Sequence, residues 1–331
     1  QQMGIAMKGL AKDQYKVAID LQQTLYDGGA ISSQSAVTRQ EGTVQEAQNN
    51  VNLYQVHRRV NEMYFSLLLL DEQIRLNSDI KNLLLSSENK LAAMVKSGTA
   101  ATSDLDNVRA ERLGAEQQNA SLKAQRQMLQ RMLSVFCGIE VSKLRKPEAV
   151  EATASANNRP ELRLFDSQLK LSEVQERALD ARLRPTLGLF AQGYYGYPGL
   201  NMFEDMISRK WRLNGIVGVR LSWNVGALYT RKNDKARLRV QRELIENARD
   251  VFLFNNNMEQ IQQTDNISRF RTMMQGDDEI IALRTNVRKA AESKLVHGII
   301  DVNSLLREIN NENAAKVQQA IHEIDMLKEM Y

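Results

Sequence analysis

The side chains that most often carry enzyme chemistry are scattered along this sequence. There are three histidines, His57, His297 and His322. None has a second histidine four residues away, the spacing by which one helix face holds zinc, so each is expected to be a solvated helix or turn residue. The neighbouring Asp277 and Asp278 are likewise expected to be solvated. The glycines of GYYGYPG, residues 193–199, fall within a predicted strand with no helix after it, so they indicate no phosphate-binding loop. We therefore predict a protein that is not an enzyme and binds no metal or cofactor.

The charges and the single cysteine narrow the possible partners. The 44 basic and 40 acidic residues are interleaved along the chain, a pattern that favours solvated helix faces over the clustered Lys and Arg of a nucleic-acid-binding protein. Cys137 excludes an intrachain disulfide and is expected to be a small buried residue. The longest apolar run, residues 67–70, is far shorter than the roughly 20 residues of a membrane-spanning helix. We predict no nucleic-acid partner and no transmembrane helix.

The positions of proline and glycine allow very long helices. All four prolines lie between residues 147 and 198, and glycine is absent from 43–97 and from 227–275. Between Val60 and Val95, apolar residues recur at alternating spacings of three and four, as in a coiled-coil seam. A helix from about residue 31 to residue 96 would be on the order of 100 Å long, at the usual rise per residue. This length exceeds the size of an ordinary domain.

Such a helix must be followed by a return. After Gly98 the chain is expected to turn, and Ser103 or Asp104 can cap a returning helix that runs to about residue 136. A linker follows, and Pro160 then opens a further helix, to about residue 183, as the first helical residue after an Asn cap. The pattern predicts a helical hairpin with one broken arm.

Three short segments have the period of two that is typical of strands. In YKVAIDLQQ the apolar residues start at Tyr15 and alternate with polar or small ones, and GIVGVRLSW alternates in the same way up to Trp223. TLGLFAQGYYGY, residues 186–197, is a third strand. Three strands cannot close a barrel, so the sheet either packs on helices or is completed by further copies of the chain. Aromatic residues cluster near the strand ends, as in the girdle of a lipid-facing surface: Tyr15, Tyr194, Tyr195, Tyr197, Trp211 and Trp223.

The chain repeats itself at an offset of 200 residues. Without a gap, Val17 aligns with Val217, Gly98 with Gly298, and a strand, a long helix, a glycine turn and a returning helix follow in the same order twice. The segment from Pro160 through the strand 186–197 has no counterpart in the first copy. We therefore expect the natural precursor to extend upstream by at least a helix and a strand.

Several segments together resemble the TolC-type outer-membrane efflux proteins, the outer membrane factor family. VAIDLQQTLYDGGAISSQ resembles that family's strand-to-helix junction, and SGTAATSDLDNVRAERL and HGIIDVNSLLREIN resemble its two periplasmic hairpin tips. RPELRLFDSQLKLSEVQERALDARLRPTLGLFAQGYYG is similar to its fourth helix running into its third strand. The resemblance covers nearly the whole chain.

The resemblance implies a passive channel. The expected fold is mainly α with a small β part, in which long antiparallel helical hairpins form an α-barrel tunnel joined to a membrane β-barrel completed by trimerisation. The expected location is the outer membrane of a Gram-negative bacterium, with the helices in the periplasm. The expected role is a conduit for small molecules such as drugs, and the expected partners are outer-membrane lipid, a periplasmic adaptor and an inner-membrane pump of the RND, ABC or MFS type.

The resemblance also divides the chain into segments. Residues 1–30 and 184–225 would supply the barrel strands and loops, and residues 31–137 the first periplasmic hairpin. Residues 138–183 would form an equatorial linker and helix, and residues 226–331 the second hairpin.

Site residues follow from the same resemblance. The adaptor-docking tips would be Val95, Ser97, Gly98, Thr99, Val296, His297, Gly298 and Ile299. Candidates for the tunnel aperture are Asp104, Asp301, Ser304 and Arg307. Asp104 keeps the family's pattern at the first tip and could serve as cap and polar anchor, whereas Ser304 and Arg307 replace the family's two acids at the second. A ring of Arg307 side chains would favour anions if it faced the lumen. Asp20 and Arg220 would face the barrel lumen and could pair.

Two other classes of protein fit part of the sequence. A periplasmic adaptor also joins a helical hairpin to β-structure, but it has one hairpin, whereas the repeat predicts two. A purely structural coiled-coil protein would account for the helices and leave the alternating strands and clustered aromatics unexplained.

Overall fold

The computed structural model describes residues 13–150, 157–208 and 210–331. Within them the chain is mainly helical with one small sheet, as predicted. The elements in chain order are β1 (Tyr15–Tyr26), α1 (Ala30–Lys96), α2 (Thr102–Cys137), α3 (Pro160–Ala181), β2 (Thr186–Tyr197), α4 (Met202–Ser208), β3 (Arg212–Ser222), α5 (Gly226–Val296) and α6 (Val302–Met330). Among the described residues, no helix has a stretch that is both long and apolar enough to cross a membrane.

The tandem repeat is present in the fold. Helices α1 and α5 end at Lys96 and Val296, and α2 and α6 begin at Thr102 and Val302, so both turns keep the offset of 200 residues. The starts of the long helices differ, because α5 begins at Gly226 and α1 only at Ala30. The elements thus confirm the repeat predicted from the sequence, and the deviation lies at the strand-to-helix junctions.

The two junctions use different caps. At the first, the Asp27 carboxylate accepts hydrogen bonds from the backbone N–H groups of Gly29, at 2.9 Å, and Ile31, at 2.6 Å. At the second, the side-chain oxygen of Asn224 accepts from the N–H of Ala227 at 3.3 Å. When the two copies are aligned, the capping side chain of the second junction lies three residues before that of the first, and α5 accordingly starts earlier than α1.

The sheet has the strand order β1-β2-β3, and both pairings are antiparallel. Val17 lies opposite Tyr195, which lies opposite Leu213, and Leu21 lies opposite Ala191, which lies opposite Val217. Directly opposite residues share a face, so one face collects the apolar residues of all three strands. The other face carries Lys16, Asp20, Gln192, Asn214 and Arg220 among others.

The chain divides into two compact units, and each long helix contributes to both. The first unit comprises residues 1–50 and 159–250. In it, α3 packs against the first turns of α5 through a ladder of ion pairs, in which Asp180 binds Arg231 and Lys235 and Glu176 binds Arg242. The second unit comprises residues 51–158 and 251–331, and its core is built from α1, α2, α5 and α6. The segment division expected from the family resemblance remains a prediction.

The linker after α2 is held on the second unit. The Tyr64 hydroxyl donates to the carbonyl of Arg145, and the Tyr331 hydroxyl donates to the carbonyl of Glu148 at 2.9 Å. Cys137, expected to be buried, is exposed as the last residue of α2, just before Gly138 ends the helix in a left-handed conformation. Cys137 is exposed because the helix ends at this position, in spite of the apolar character of its side chain.

Two predicted helix caps are wrong. The N-cap of α2 is Ala101, which offers no side-chain acceptor, and Ser103 and Asp104 already lie within the first turn. The N-cap of α3 is Arg159, and no asparagine caps that helix. The backbone leaves the extended conformation at these two residues, so the capping position is set by the turn and not by the nearest suitable side chain.

Candidate functional site

The structure brings the two hairpin turns, residues 97–101 and 297–301, to the same core in the second unit. That core joins residues from all four helices: Ile80, Leu84, Leu91, Val108, Ala291, Val302, Leu305, Leu306 and Ile309. Gly98 and Gly298 have φ angles of 75° and 69°, and a Cβ at either position would meet no atom within 4 Å. Glycine is therefore favoured there by the backbone conformation and not by a lack of space.

The two turns have matching backbones. In the first, the N–H of Gly98 donates to the carbonyl of Val95 at 3.0 Å and that of Thr99 to Met94 at 2.9 Å. In the second, the N–H of Gly298 donates to Leu295 and that of Ile299 to Lys294, both at 2.9 Å. Each set ends the outgoing helix with a left-handed glycine. The repeated glycine therefore has a repeated function, which is to reverse the chain.

The side chains at the turns differ. At the first, the hydroxyls of Ser97 and Thr99 both donate to the carbonyl of Met94, at 3.0 and 3.1 Å. At the second, His297 bonds through Nδ1 to the carbonyl of Ser293 at 2.7 Å, while Val296 and Ile299 are 60% and 69% exposed. The first predicted tip is thus a polar surface and the second a more apolar one.

The aperture candidates divide into two groups. Asp301 is the N-cap of α6, where its Oδ1 accepts from the N–H of Ser304 at 2.8 Å, so these two candidates bind each other. Hydrogen bonds from the Ser304 side chain and N–H hold the pKa of Asp301 below its usual value. Arg307 is exposed one turn further along α6. Asp104 is half-buried in the first turn of α2 and is not the cap that was expected.

The structure contains two interhelical ion pairs that were not predicted from the sequence. Between α1 and α2, Arg112 Nε donates to Glu88 at 2.6 Å, and the two side chains are 16% and 14% exposed. Between α5 and α6, Arg288 Nε donates to Glu312, and these side chains are 11% and 5% exposed. Positions 88 and 288, and positions 112 and 312, are equivalents in the repeat, so the same interhelical pair occurs twice with its polarity reversed.

Glu312 has further partners. Thr285 donates to it at 3.0 Å and Lys316 at 2.7 Å. Burial by itself would raise the pKa of Glu312, but the hydrogen bonds from Lys316, Arg288 and Thr285 outweigh it and lower the pKa below the usual value. The carboxylate is therefore held ionised inside the helical hairpin.

His322 and Asp277, which were expected to be solvated, are both buried. His322 Nδ1 lies 2.8 Å from a carboxylate oxygen of Asp277, and Gln318 contacts its Nε2 at 2.8 Å. The residues stand 45 positions apart in sequence, so their pairing depends on how α5 and α6 fold together. In the described ranges no group of three or more histidine, cysteine or acidic side chains is placed to hold a metal ion.

The apolar face of the sheet is exposed. Val17 is 74% and Val217 80% exposed, and neighbours on that face include Ile19, Leu21 and Leu221. In the described part of the chain, the outer edges of β1 and β3 pair with no further strand. A large apolar face and unpaired strand edges mark a surface that another molecule covers.

The six predicted girdle residues occupy four different places. Trp211 lies between Tyr15 and Tyr195, with ring centroids 6.3 and 5.5 Å away. Trp223 stands at the helix-proximal end of β3, where its Nε1 donates to the carbonyl of Leu183 at 2.9 Å. Tyr194 belongs to the polar face, where the Lys16 ammonium lies over its ring, and Tyr197 is buried. Three of the six therefore form one aromatic cluster.

Asp20 and Arg220 do not form the predicted pair within the chain. Asp20 accepts a hydrogen bond from Gln192 of the middle strand, and Arg220 lies over the ring of Phe190, 5.3 Å from its centroid. Both residues occupy the polar face, as expected. Strand β2 lies between these two residues, and they belong to different rows of directly opposite residues across the sheet. Neither feature can be derived from the repeat alone.

Sequence comparison and structure comparison give different results. No protein-family model matches the sequence, and a search by sequence finds no matching curated protein. Among solved structures, the outer-membrane channel OprN has 15% identity and a TM-score of 0.73, over 99% of this chain and 76% of OprN. CusC, which forms a transmembrane channel, has 13% identity and a TM-score of 0.75, over 96% and 76%. VceC, an outer-membrane protein of Vibrio cholerae, has 10% identity and a TM-score of 0.71, over 95% and 85%.

At these identities the likeness is one of fold. The chain has the fold of TolC-type outer-membrane channels, which the resemblance in the sequence predicted. The alternative of a periplasmic adaptor is not favoured, because the chain contains two helical hairpins and the structures that it resembles are channels.

Proposed function

We propose that this chain, which has the fold of TolC-type channels, is the outer-membrane channel subunit of a tripartite efflux system in a Gram-negative bacterium. Three copies form one passive conduit, through which small molecules such as drugs leave the periplasm without chemical change. The conduit works with a periplasmic adaptor and an inner-membrane pump. The proposal rests first on the fold and second on three surfaces of the chain itself.

The sheet is the observation that carries the proposal. Its apolar face would meet lipid, and its polar face, with Lys16, Asp20 and Arg220, would line a water-filled lumen. The upstream strand expected from the repeat, together with neighbouring copies, would pair with the outer edges of β1 and β3 and so remove the unpaired backbone groups. The cluster of Tyr15, Tyr195 and Trp211 suits the boundary between lipid and water.

Helix α5 offers a second surface for assembly. In the second unit, Val251, Phe254, Met258 and Ile261 follow spacings of three, four and three, and each is about half or more exposed. This is the spacing of a coiled-coil seam, and the described part of the chain leaves it uncovered. We call these four residues the α5 seam and assign it to the contact between subunits.

The two hairpin turns are the surfaces proposed for the adaptor. They lie on one core, and both present backbone reversed at a glycine, so a partner can meet them together. The polar first turn and the apolar second turn would make different contacts. Arg307, exposed near the second turn, is proposed to line the aperture and to favour anions there.

Membrane fractionation combined with crosslinking tests the proposal. The complete gene product should be found in the outer-membrane fraction, should need detergent for its extraction, and should give a crosslinked trimer. A product that is soluble without detergent and remains monomeric after crosslinking would refute the proposal.

A further inference from the structure

The two helical hairpins of this chain follow the same plan, so exchange of their returning helices is an alternative that the fold must exclude. Corresponding helices follow the same register, and Leu105 and Leu305, which both pack in the common core, are identical. Repeat proteins are prone to misassembly between equivalent elements for this reason. Apolar packing distinguishes α2 from α6 in part, because Val302 and Ile309 of α6 are buried, whereas Thr102 and Arg109 of α2 are exposed.

Charge distinguishes them clearly. Three equivalent positions carry opposite signs in the two copies: Glu88 and Arg288, Arg112 and Glu312, and Glu116 and Lys316. The first four form the two interhelical ion pairs. The other two lie one helical turn further on, where Glu116 binds Arg112 at 3.2 Å and Lys316 binds Glu312 at 2.7 Å. The reversal thus extends over a whole network in each hairpin.

Exchange of the returning helices would place like charges together. Glu88 of α1 would face Glu312 of α6, and Arg288 of α5 would face Arg112 of α2. All four side chains are at most 16% exposed, so water could screen the repulsion only poorly. The native pairing instead gives every one of these charges an opposite partner within hydrogen-bond distance.

We propose that the reversed ion pairs determine helix pairing, so that each outgoing helix binds its own returning helix and rejects the returning helix of the other copy. Selection by unfavourable alternatives is the way in which charges fix the partner in coiled coils. The four residues Glu88, Arg112, Arg288 and Glu312 are the pairing residues. The proposal depends on the fold and is independent of the cargo and of the adaptor.

A repeated polar contact provides a reporter of pairing. Asn119 of α2 donates to Ser78 of α1 at 3.1 Å, and at the equivalent place Gln319 of α6 donates to Asp278 of α5 at 2.7 Å. In a Cys137→Ser background, the thiols of Asp278→Cys with Gln319→Cys lie across the native pair and can be joined by a short bis-maleimide crosslinker. Asp278→Cys with Asn119→Cys reports α2 in the place of α6. The full chain is produced in a bacterial host, the thiols are kept reduced until the crosslinker is added, and the crosslinked product is measured in both reporter forms.

The key comparison is between a variant in which the ion-pair charges are reversed in one hairpin and a variant in which they are reversed in both hairpins. Glu88→Arg with Arg112→Glu keeps both native ion pairs but makes the exchanged pairs attractive, so the crosslink between positions 119 and 278 should increase about tenfold over the wild type. The fourfold variant, which adds Arg288→Glu and Glu312→Arg, restores the reversal and should return the exchange to the wild-type level. The matched control, Arg75→Asp with Asp79→Arg, reverses an exposed pair within one helix and should change neither crosslink.

The native reporter makes each outcome decisive. Formation of the crosslink between positions 278 and 319 shows that a variant has folded. Equal exchange in the wild type and in the single reversed hairpin, at any level, would overturn the proposal. A single reversed hairpin that loses the native crosslink, without recovery in the fourfold variant, would overturn it as well, because the pairs would then serve only local packing.

Discussion

Asp301 and Ala101 occupy equivalent positions at the two hairpin turns, and they differ in one physical respect. The Asp301 side chain accepts a hydrogen bond from the N–H of Ser304, whereas the equivalent N–H of Asp104 in α2 donates to the backbone carbonyl of Ala101 at 3.1 Å, because alanine offers no side-chain acceptor. The rest of each turn has the same backbone hydrogen bonds. The side-chain cap is therefore what distinguishes the first turn of α6 from that of α2.

Replacing each of these residues by the other, in two separate variants, should change the free energy of unfolding in opposite directions. Asp301→Ala removes the cap and should lower this free energy. Ala101→Asp supplies a cap and should raise it by about 1 kcal/mol. Denaturant unfolding of both variants checks the prediction. A stabilising Asp301→Ala variant would show that the carboxylate is strained for another purpose, such as lining the aperture.

Gly28 and Gly29 give a second test at the scale of one residue. Both have a positive φ, of 69° and 85°, but a Cβ at Gly28 would lie 2.8 Å from Cβ of Arg184, whereas at Gly29 its nearest neighbour would be 3.7 Å away. Gly28→Ala should therefore cost about 1–3 kcal/mol and more than Gly29→Ala, which meets only the backbone strain. Thermal unfolding of the two variants compares them. Equal losses would mean that the close approach to Arg184 relaxes without cost.

At the scale of the element, the helices were predicted more accurately than their contacts. The sequence placed both turns correctly, because a left-handed glycine and a fixed offset of 200 residues are local signals. The contact between His322 and Asp277 was not predicted, because these residues are 45 positions apart in sequence and meet only when α5 and α6 pack together. The reversed ion pairs did leave a signal: sliding the chain by 200 residues aligns Glu88 with Arg288. Counting identities overlooks a pair of opposite charges.

The ion pair at Glu312 predicts a dependence of stability on pH. Its pKa is lower in the folded protein than in the unfolded chain, so the ionised carboxylate stabilises the fold above its unfolded pKa. That contribution is lost as the pH falls from the ordinary range of a glutamate through the lowered folded value. The wild type should therefore lose more stability on acidification than Glu312→Gln, as measured by urea unfolding at several pH values. Parallel curves for both proteins would contradict the prediction.

The α5 seam gives a prediction for one helix face. Phe254→Asp places a charge in the proposed contact between subunits and should weaken the trimer by about 2 kcal/mol per contact while leaving each chain helical. Crosslinking measures the trimer, and circular dichroism measures the helix content. The matched control is Gln260→Asp, an exposed change on another side of the same helix, which should leave the trimer intact. Equal trimer yields from both variants would remove the seam from the interface.

At the scale of the whole molecule, the fold places three unlike surfaces in one chain. They are a sheet with one apolar and one polar face, a long helix with an exposed seam, and a pair of turns on a common core. The sequence predicted the sheet faces from the period of its strands, and it predicted the turns from the repeat. It could not place Asp20 and Arg220 in different rows, because strand register depends on how the middle strand pairs. The combination of surfaces is what a membrane conduit with a docking end requires.

The conductance of the purified, complete gene product in a planar lipid bilayer tests most directly whether this chain forms a channel. A water-filled trimeric pore should give discrete currents, and Arg307→Asp should shift the ion preference from anions towards cations. Currents with an unchanged preference would exclude Arg307 from the aperture. A protein that is monomeric in detergent and gives no current at any voltage would contradict the proposed channel as a whole.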